Sequence, residues 1–183
     1  MALIIPKPYL AATKLLDCLC EALAANFAED DTLPMPARCC VRAGTEIAFI
    51  VTDQGVDQCC EGEAYVKIVD TYPSSLFPQP DEYIKSQCQA RRRTVALELG
   101  VIRCISDDPD CDESDYALRR NAADGEAAFA AACCFDKVVQ RADVIGRGTA
   151  TFFGGWTPSG PDGGCLAGTM PVFVSIPGPG CAC

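Results

Sequence analysis

The cysteines of this chain come in doublets, and no histidine stands beside them: fourteen of its 183 residues are cysteine and none is histidine. Cys39-Cys40, Cys59-Cys60 and Cys133-Cys134 are adjacent, while Cys18 and Cys20, like Cys181 and Cys183, are one residue apart. Successive side chains of a strand point to opposite faces, and residues two apart on a helix stand about 200° from one another. Such doublets do not close on one metal ion, and the Cys-x-x-Cys knuckle of zinc sites is absent from the sequence. The terminal Cys181-Ala-Cys183 alone lies in a stretch loose enough to chelate. Buried apolar thiols or disulfides are the expected use of the rest.

A chain with no imidazole lacks the side chain whose ordinary pKa lies nearest neutrality. A cysteine nucleophile would then need a helix N-terminus or a nearby Lys or Arg. Cys133 and Cys134 sit in mid-helix and Cys165 in a hairpin, so neither setting is met. Gly154-Gly155 and Gly163-Gly164 lack the lysine and following helix of a phosphate loop. The sequence therefore predicts no enzyme, no cofactor and no bound metal. A net charge of −10 opposes a phosphate-gripping surface. The one basic cluster, Arg91-Arg92-Arg93, reads as the exposed or interfacial start of a strand. No apolar run reaches membrane-spanning length. Met1 to Tyr9 has no basic n-region, so no signal peptide is expected. Synthesis in a reducing cytosol follows, with thiols free at first and any pairing later.

The pattern along the chain predicts one α+β domain over residues 1–176 and an extended tail over 177–183. Leu16, Leu19, Leu23 and Phe27 recur at helical spacing, with Cys20 on their stripe and Cys18 off it. Strands are expected at Arg38–Arg42, Glu46–Thr52, Glu63–Asp70 and Thr94–Ile105, with a bulge or bend at Gly100. Tyr72 to Asp81 is a proline-punctuated loop whose length suggests an interface. The acidic stretch 106–114 reads as turns. A second helix is expected from an N-cap at Asp124 to Val139, burying Ala128, Ala132, Phe135 and Val139. On it Cys133 falls on the flank and Cys134 opposite the buried stripe. Two strands, Thr149–Trp156 and Leu166–Ile176, close the domain around an irregular tip at 157–164. Pro171 predicts an edge position or a bulge for the last strand.

Three groups of residues stand out beyond the fold. Cys59, Cys60, Cys88, Cys104 and Cys165 flank strand ends where disulfides could form, with connectivity open. Trp156 reads either as a packing aromatic or as an interface anchor. Asp107, Asp108, Asp110, Asp112, Glu113 and Asp115 make an acidic cluster whose plain reading is solvation.

Several segments together resemble a known family. They are Cys59-Cys-Glu-Gly-Glu-Ala-Tyr-Val-Lys67, Tyr72-Pro-Ser-Ser-Leu-Phe-Pro78, Ala96-Leu-Glu-Leu-Gly-Val-Ile-Arg-Cys104, Ala131-Ala-Cys-Cys-Phe135 and Gly155-Trp-Thr-Pro-Ser-Gly-Pro-Asp-Gly-Gly-Cys165. Over roughly residues 55–175 the chain resembles the neck proteins of long-tailed actinobacterial phages, most of all their tail terminators. The resemblance implies a small mixed or antiparallel sheet with two main helices packed against it and a long C-terminal β-hairpin. It also implies a virion protein, assembled in the host cytoplasm, whose hexameric ring caps the tail tube and ends its polymerisation. Its partners would be further copies of itself, the major tail tube protein and the stopper or adaptor of the head neck, with no membrane. DNA would pass through without sequence-specific binding, repelled by an acidic lumen. The acidic cluster 107–115 is the lumen candidate. Tyr72, Pro73, Phe77, Trp156, Pro158, Pro161 and Asp162 are the interface candidates. A head-completion adaptor or stopper is the nearest alternative, and a cysteine-dependent enzyme or thiol–metal protein the more distant one.

Overall fold

Thirteen residues with apolar side chains at alternate positions make the strand on which the fold is built, β3 (Arg92–Cys104). A computed structural model of the chain describes residues 6–29, 35–42, 62–82, 92–105, 110–141, 145–146, 148–162 and 165–178. Besides β3 these form α1 (Lys7–Glu29), β1 (Arg38–Arg42), β2 (Glu63–Pro73), α2 (Cys111–Val139), β4 (Thr151–Phe153), β5 (Thr157–Asp162) and β6 (Cys165–Pro177). The sheet runs β1-β2-β3-β6-β4, with β5 also paired to β6. β1 is parallel to β2 and every other pairing is antiparallel. This is the expected α+β class: two helices on a six-stranded mixed sheet, with β5 and β6 forming the C-terminal hairpin. The expected strand Glu46–Thr52 lies outside the described residues.

Strand alternation decides which side chains meet the helices. Val95, Leu97, Leu99 and Val101 of β3, Ala64 and Val66 of β2, and Met170, Val172, Val174 and Ile176 of β6 are buried in one core. From the helices, Ala11, Leu15 and Leu19 join Ala128, Ala132, Phe135 and Val139 in that core.

Several local expectations are corrected. No bulge occurs at Gly100, whose pairing with Thr169 is continuous; the irregularity sits in β2 between Ile68 and Asp70. Gly100 serves another need, because a Cβ there would stand 2.5 Å from Cζ and Oη of Tyr65, its partner on β2. The acidic stretch is not all turn: α2 starts at Cys111, capped by Asp110, whose carboxylate accepts from the Glu113 N–H at 2.8 Å. Asp112 and Glu113 then favourably face the positive end of the helix dipole. The supposed irregular tip contains β5, paired with β6 from Thr157↔Thr169 to Ser159↔Ala167.

For Pro171 only the edge placement is corrected, since β6 is an interior strand; the bulge alternative holds, because three residues, 154–156, stand opposite two, 170–171, between the β4 and β5 pairings. The Pro171 carbonyl accepts from Gly154 N–H at 2.8 Å, so the side of Pro171 that lacks an N–H faces the β4–β5 side of β6. β4 pairs with β6 up to Val172 and β5 from Thr169 on, so the proline falls in the break between them. There no ladder bond is lost.

The middle of α2 is rich in poor helix formers, and each has a tertiary reason. Asp124 is not an N-cap but a buried partner of Arg103 on β3, at 2.6 and 3.0 Å. Asn121 donates to the Ala167 carbonyl at 3.0 Å and accepts from Trp156 Nε1 at 3.0 Å. Gly125 lies under the indole, where a Cβ would be 2.9 Å from Cδ1 of Trp156.

Candidate functional site

The thiols obey the directional rule read from the doublets. Cys18 is disulfide-bonded to Cys134, joining α1 to α2 with Cα atoms 5.8 Å apart. Cys20 is bonded to Cys39, joining α1 to β1 at 6.6 Å. One helix thus uses opposite flanks to hold two different elements. In the other two described doublets one cysteine enters a disulfide while its neighbour stays a thiol: Cys40 beside Cys39, and Cys133 beside Cys134.

These pairings were not among the expected ones. Cys59, Cys60 and Cys88 lie outside the described residues. Cys165 is disulfide-bonded, and Cys104, directly across the β3–β6 ladder from it, carries a thiol. The placement of Cys133 and Cys134 is reversed from expectation. At about 100° per residue Cys134 stands near 100° from Phe135 and Cys133 near 200°. Cys134 is accordingly the flank residue packed toward α1, and Cys133 is exposed. Cys18, off the apolar stripe facing the sheet, is buried because α1 packs sideways on α2 as well.

The sheet face opposite the helices carries a polar network. Arg42 donates to both carboxylate oxygens of Glu63, and Cys40 donates to the same carboxylate at 3.2 Å. Burial raises the Cys40 thiol, with Glu63 adding to the effect, so it stays protonated and is a poor nucleophile. Glu63 is itself opposed by burial, yet its bond to Arg42 holds the carboxyl below the usual range. Next in the row, Glu98 accepts from Tyr65 Oη at 3.2 Å and from Lys67 Nζ at 2.8 Å. Burial, then the charge of Glu98, pushes the Tyr65 phenol far above its ordinary value. The network is therefore a row of opposite-charge pairs, which suits structure better than proton transfer.

The loop after β2 is held tightly. Tyr72 Oη donates to the Pro78 carbonyl at 2.8 Å, Ser74 Oγ to the Gln79 carbonyl at 2.7 Å, and Ser75 N–H and Oγ to the Asp81 carboxylate at 2.9 and 3.0 Å. Phe77-Pro78 is a cis peptide. Of the expected interface residues here, Tyr72, Pro73 and Phe77 are half-buried and support the loop. The residue it displays is Leu76, 75% exposed, which sequence reasoning passed over. Its signal was available: a lone leucine at the tip of a proline-bounded loop.

Trp156 takes the packing role. Its ring lies between Gly125 of α2 and Gly168 of β6, where a Cβ would come within 2.0 Å of Cζ2. Pro158 is exposed on β5, and Pro161 and Asp162 are later residues of that strand. The structure therefore does not gather the interface candidates into one patch: one group sits at the loop after β2, the other along β5. Of the lumen candidates, Asp107 and Asp108 lie outside the described residues. Asp110, Asp112 and Glu113 serve the start of α2, and Asp115 pairs with Arg119 at 2.7 Å.

Further large apolar side chains are exposed away from that loop: Leu118 and Phe129 on α2, and Phe152 on β4, which packs against Phe173 with ring centroids 6.1 Å apart. Among the described residues no three Cys, Asp or Glu side chains converge as a metal site would need, and no helix is long and apolar enough to cross a membrane. No protein-family model matches the chain, and no curated protein matches it.

Proposed function

We propose that this protein is a structural subunit of a phage neck, a tail terminator whose ring caps the tail tube and joins it to the head. The observation that carries the reading is the display of large apolar side chains on separate faces of a well-packed, cystine-stapled domain. Leu76 stands on the loop after β2, Leu118 and Phe129 on α2, and Phe152 at β4. A ring built head to tail needs two different patches on each subunit, one for each neighbour, and a third surface for what it caps. The sequence segments that resemble tail terminators include the Leu76 loop and the Trp156 hairpin, and both are hydrogen-bonded, ordered pieces of the fold. The net charge of −10 suits a ring through which DNA slides without adhering.

Negative-stain images of the purified protein test this directly. Six-fold rings, single or stacked, are expected. A monodisperse monomer at micromolar concentration with stoichiometric metal would overturn the reading in favour of a thiol–metal protein. Pull-down from phage-infected cells then separates terminator from adaptor or stopper: capture of the tube protein supports the former, and capture of portal without tube supports the latter.

A further inference from the structure

We propose that the outward face of α2 pairs antiparallel with the same face of a second copy of this chain, about a two-fold axis at Ala122, and that two symmetric Cys111–Cys133 disulfides seal the contact. Among the described residues Cys111 and Cys133 are the two exposed thiols. They stand on one helix, eleven residues before and eleven after Ala122. At about 100° per residue, Cys111, Leu118, Ala122, Phe129 and Cys133 all project within a sector of about 60°. Leu118 is 63% exposed and Phe129 46%. That face thus carries large apolar groups, a small residue at its midpoint and a thiol at each end.

The second copy is chosen by charge as well as by spacing. The exposed sector has an apolar side, with Leu118 and Phe129, and a charged side, with Asp115, Arg119 and Glu126. An antiparallel two-fold pairing brings like sides together. About Ala122, Phe129 of one copy falls level with Asp115 and one turn from Leu118 of the other, and Arg119 of each lies one residue off level with Glu126 of its mate. Arg119 is otherwise held by Asp115 alone, in an ion pair whose side chains are 77% and 60% exposed, which ties it weakly. The small side chain of Ala122 permits close approach of the two helices. Axes about 8–10 Å apart, less two backbone radii of about 2.3 Å, leave facing Cα atoms within disulfide reach at a shallow crossing angle.

Sealing is a thiol–disulfide exchange. The Sγ–H groups of Cys111 and of Cys133 in the other copy lose two protons and two electrons and form one S–S bond. A low-molecular-weight disulfide such as oxidised glutathione accepts both electrons and leaves as two thiols. The contact is isologous: it leaves Leu76 and Phe152 for the head-to-tail neighbours of the ring proposed above, and the α2 face, bound to a second copy, would tie subunits of two rings together.

The test uses full-length protein and oxidised glutathione, read by non-reducing gel electrophoresis and mapping of crosslinked peptides. Wild type is expected to give a covalent dimer through Cys111–Cys133. Cys111→Ser and Cys133→Ser should each lose that crosslink alone, and an equimolar mixture of the two should regain it, since one complementary pair remains. A Cys133–Cys133 crosslink in the Cys111→Ser protein, or no Cys111–Cys133 crosslink in the mixture, would overturn the proposal. Without reductant, in the Cys111→Ser/Cys133→Ser protein, whose structural disulfides stay intact, sedimentation should show dimer weakened roughly tenfold by Arg119→Glu and restored by Arg119→Glu/Glu126→Arg. A double variant as weak as the single one would refute the register.

Discussion

Removing the α1–α2 crosslink should destabilise the protein more than removing the α1–β1 crosslink, because the two loops differ in length. Cys18–Cys134 spans 116 residues and Cys20–Cys39 spans 19. By the entropy of loop closure in the unfolded chain these correspond to about 5 and about 3 kcal/mol. Paired alanine substitutions are the proper perturbation, since each removes a cystine without leaving a partner thiol to reshuffle. The Cys18 site is buried, so Cys18→Ala/Cys134→Ala adds a packing loss of about 1 kcal/mol. Equilibrium urea unfolding, followed by Trp156 fluorescence and far-UV circular dichroism, reads the result. Cys18→Ala/Cys134→Ala should lower the unfolding free energy by about 5–6 kcal/mol, and Cys20→Ala/Cys39→Ala by about 3 kcal/mol. In a domain of this size the first is a fall in Tm of roughly 10–20 °C. The m-value should rise in both, more so in the first, because the unfolded chain expands. Equal losses, or a larger loss from the short loop, would refute the loop-closure argument.

Gly168→Ala would force the Trp156 indole out from between α2 and β6; a loss of about 2–3 kcal/mol with a shifted emission maximum is expected, and unchanged emission would count against that packing. Asp124→Asn removes the charge from the buried carboxylate that Arg103 meets at 2.6 Å and should cost about 3 kcal/mol, whereas Asp115→Asn, in an exposed pair, should cost less than about 1 kcal/mol; chemical denaturation of both distinguishes them. Tyr65 titrates higher in the fold than in the unfolded chain, so its stabilising effect is complete below about pH 10 and declines above it by up to about 1.4 kcal/mol per pH unit. Comparing Tyr65→Phe with wild type between pH 9 and 11 checks this: the variant should lack that part of the alkaline slope, and parallel curves would refute it.

The sequence made the layers of this fold legible because strand and helix periods mark them directly. Val95, Leu97, Leu99 and Val101 alternate cleanly, and Ala128, Ala132, Phe135 and Val139 recur at helical spacing; both sets are buried. What escaped was decided by partners distant in sequence. Asn121, Asp124 and Gly125 look like a helix boundary until Ala167, Arg103 and Trp156 are placed against them. Gly100 looks like a bulge until the Tyr65 ring is seen across it. The crosslinks escaped for a related reason. A stripe of leucines tells which side of α1 meets the sheet, but not that its flank meets α2, and Cys18 and Cys134 lie on those flanks. At the candidate surfaces, the loop after β2 was located by its prolines, while its displayed Leu76 became apparent only once Tyr72 and Ser74 were seen bonded inward.

The junction of Gly154 and Pro171 bears on aggregation. A Cβ at residue 154 would lie 2.5 Å from Cγ of Pro171, so the proline and the glycine opposite it form a matched interruption. Because of it, the outer border of the sheet on that side is two short pieces, β4 of three residues and β5 of six, set out of line. A long straight border is a template on which a stray chain extends the sheet; a broken one offers too few consecutive backbone groups to hold it. The break thereby keeps the backbone from pairing with a second chain, although large apolar side chains such as Phe152 are displayed beside it. Filling the interruption, with Pro171→Val and Gly154→Ser together, would be expected to promote fibrous aggregate.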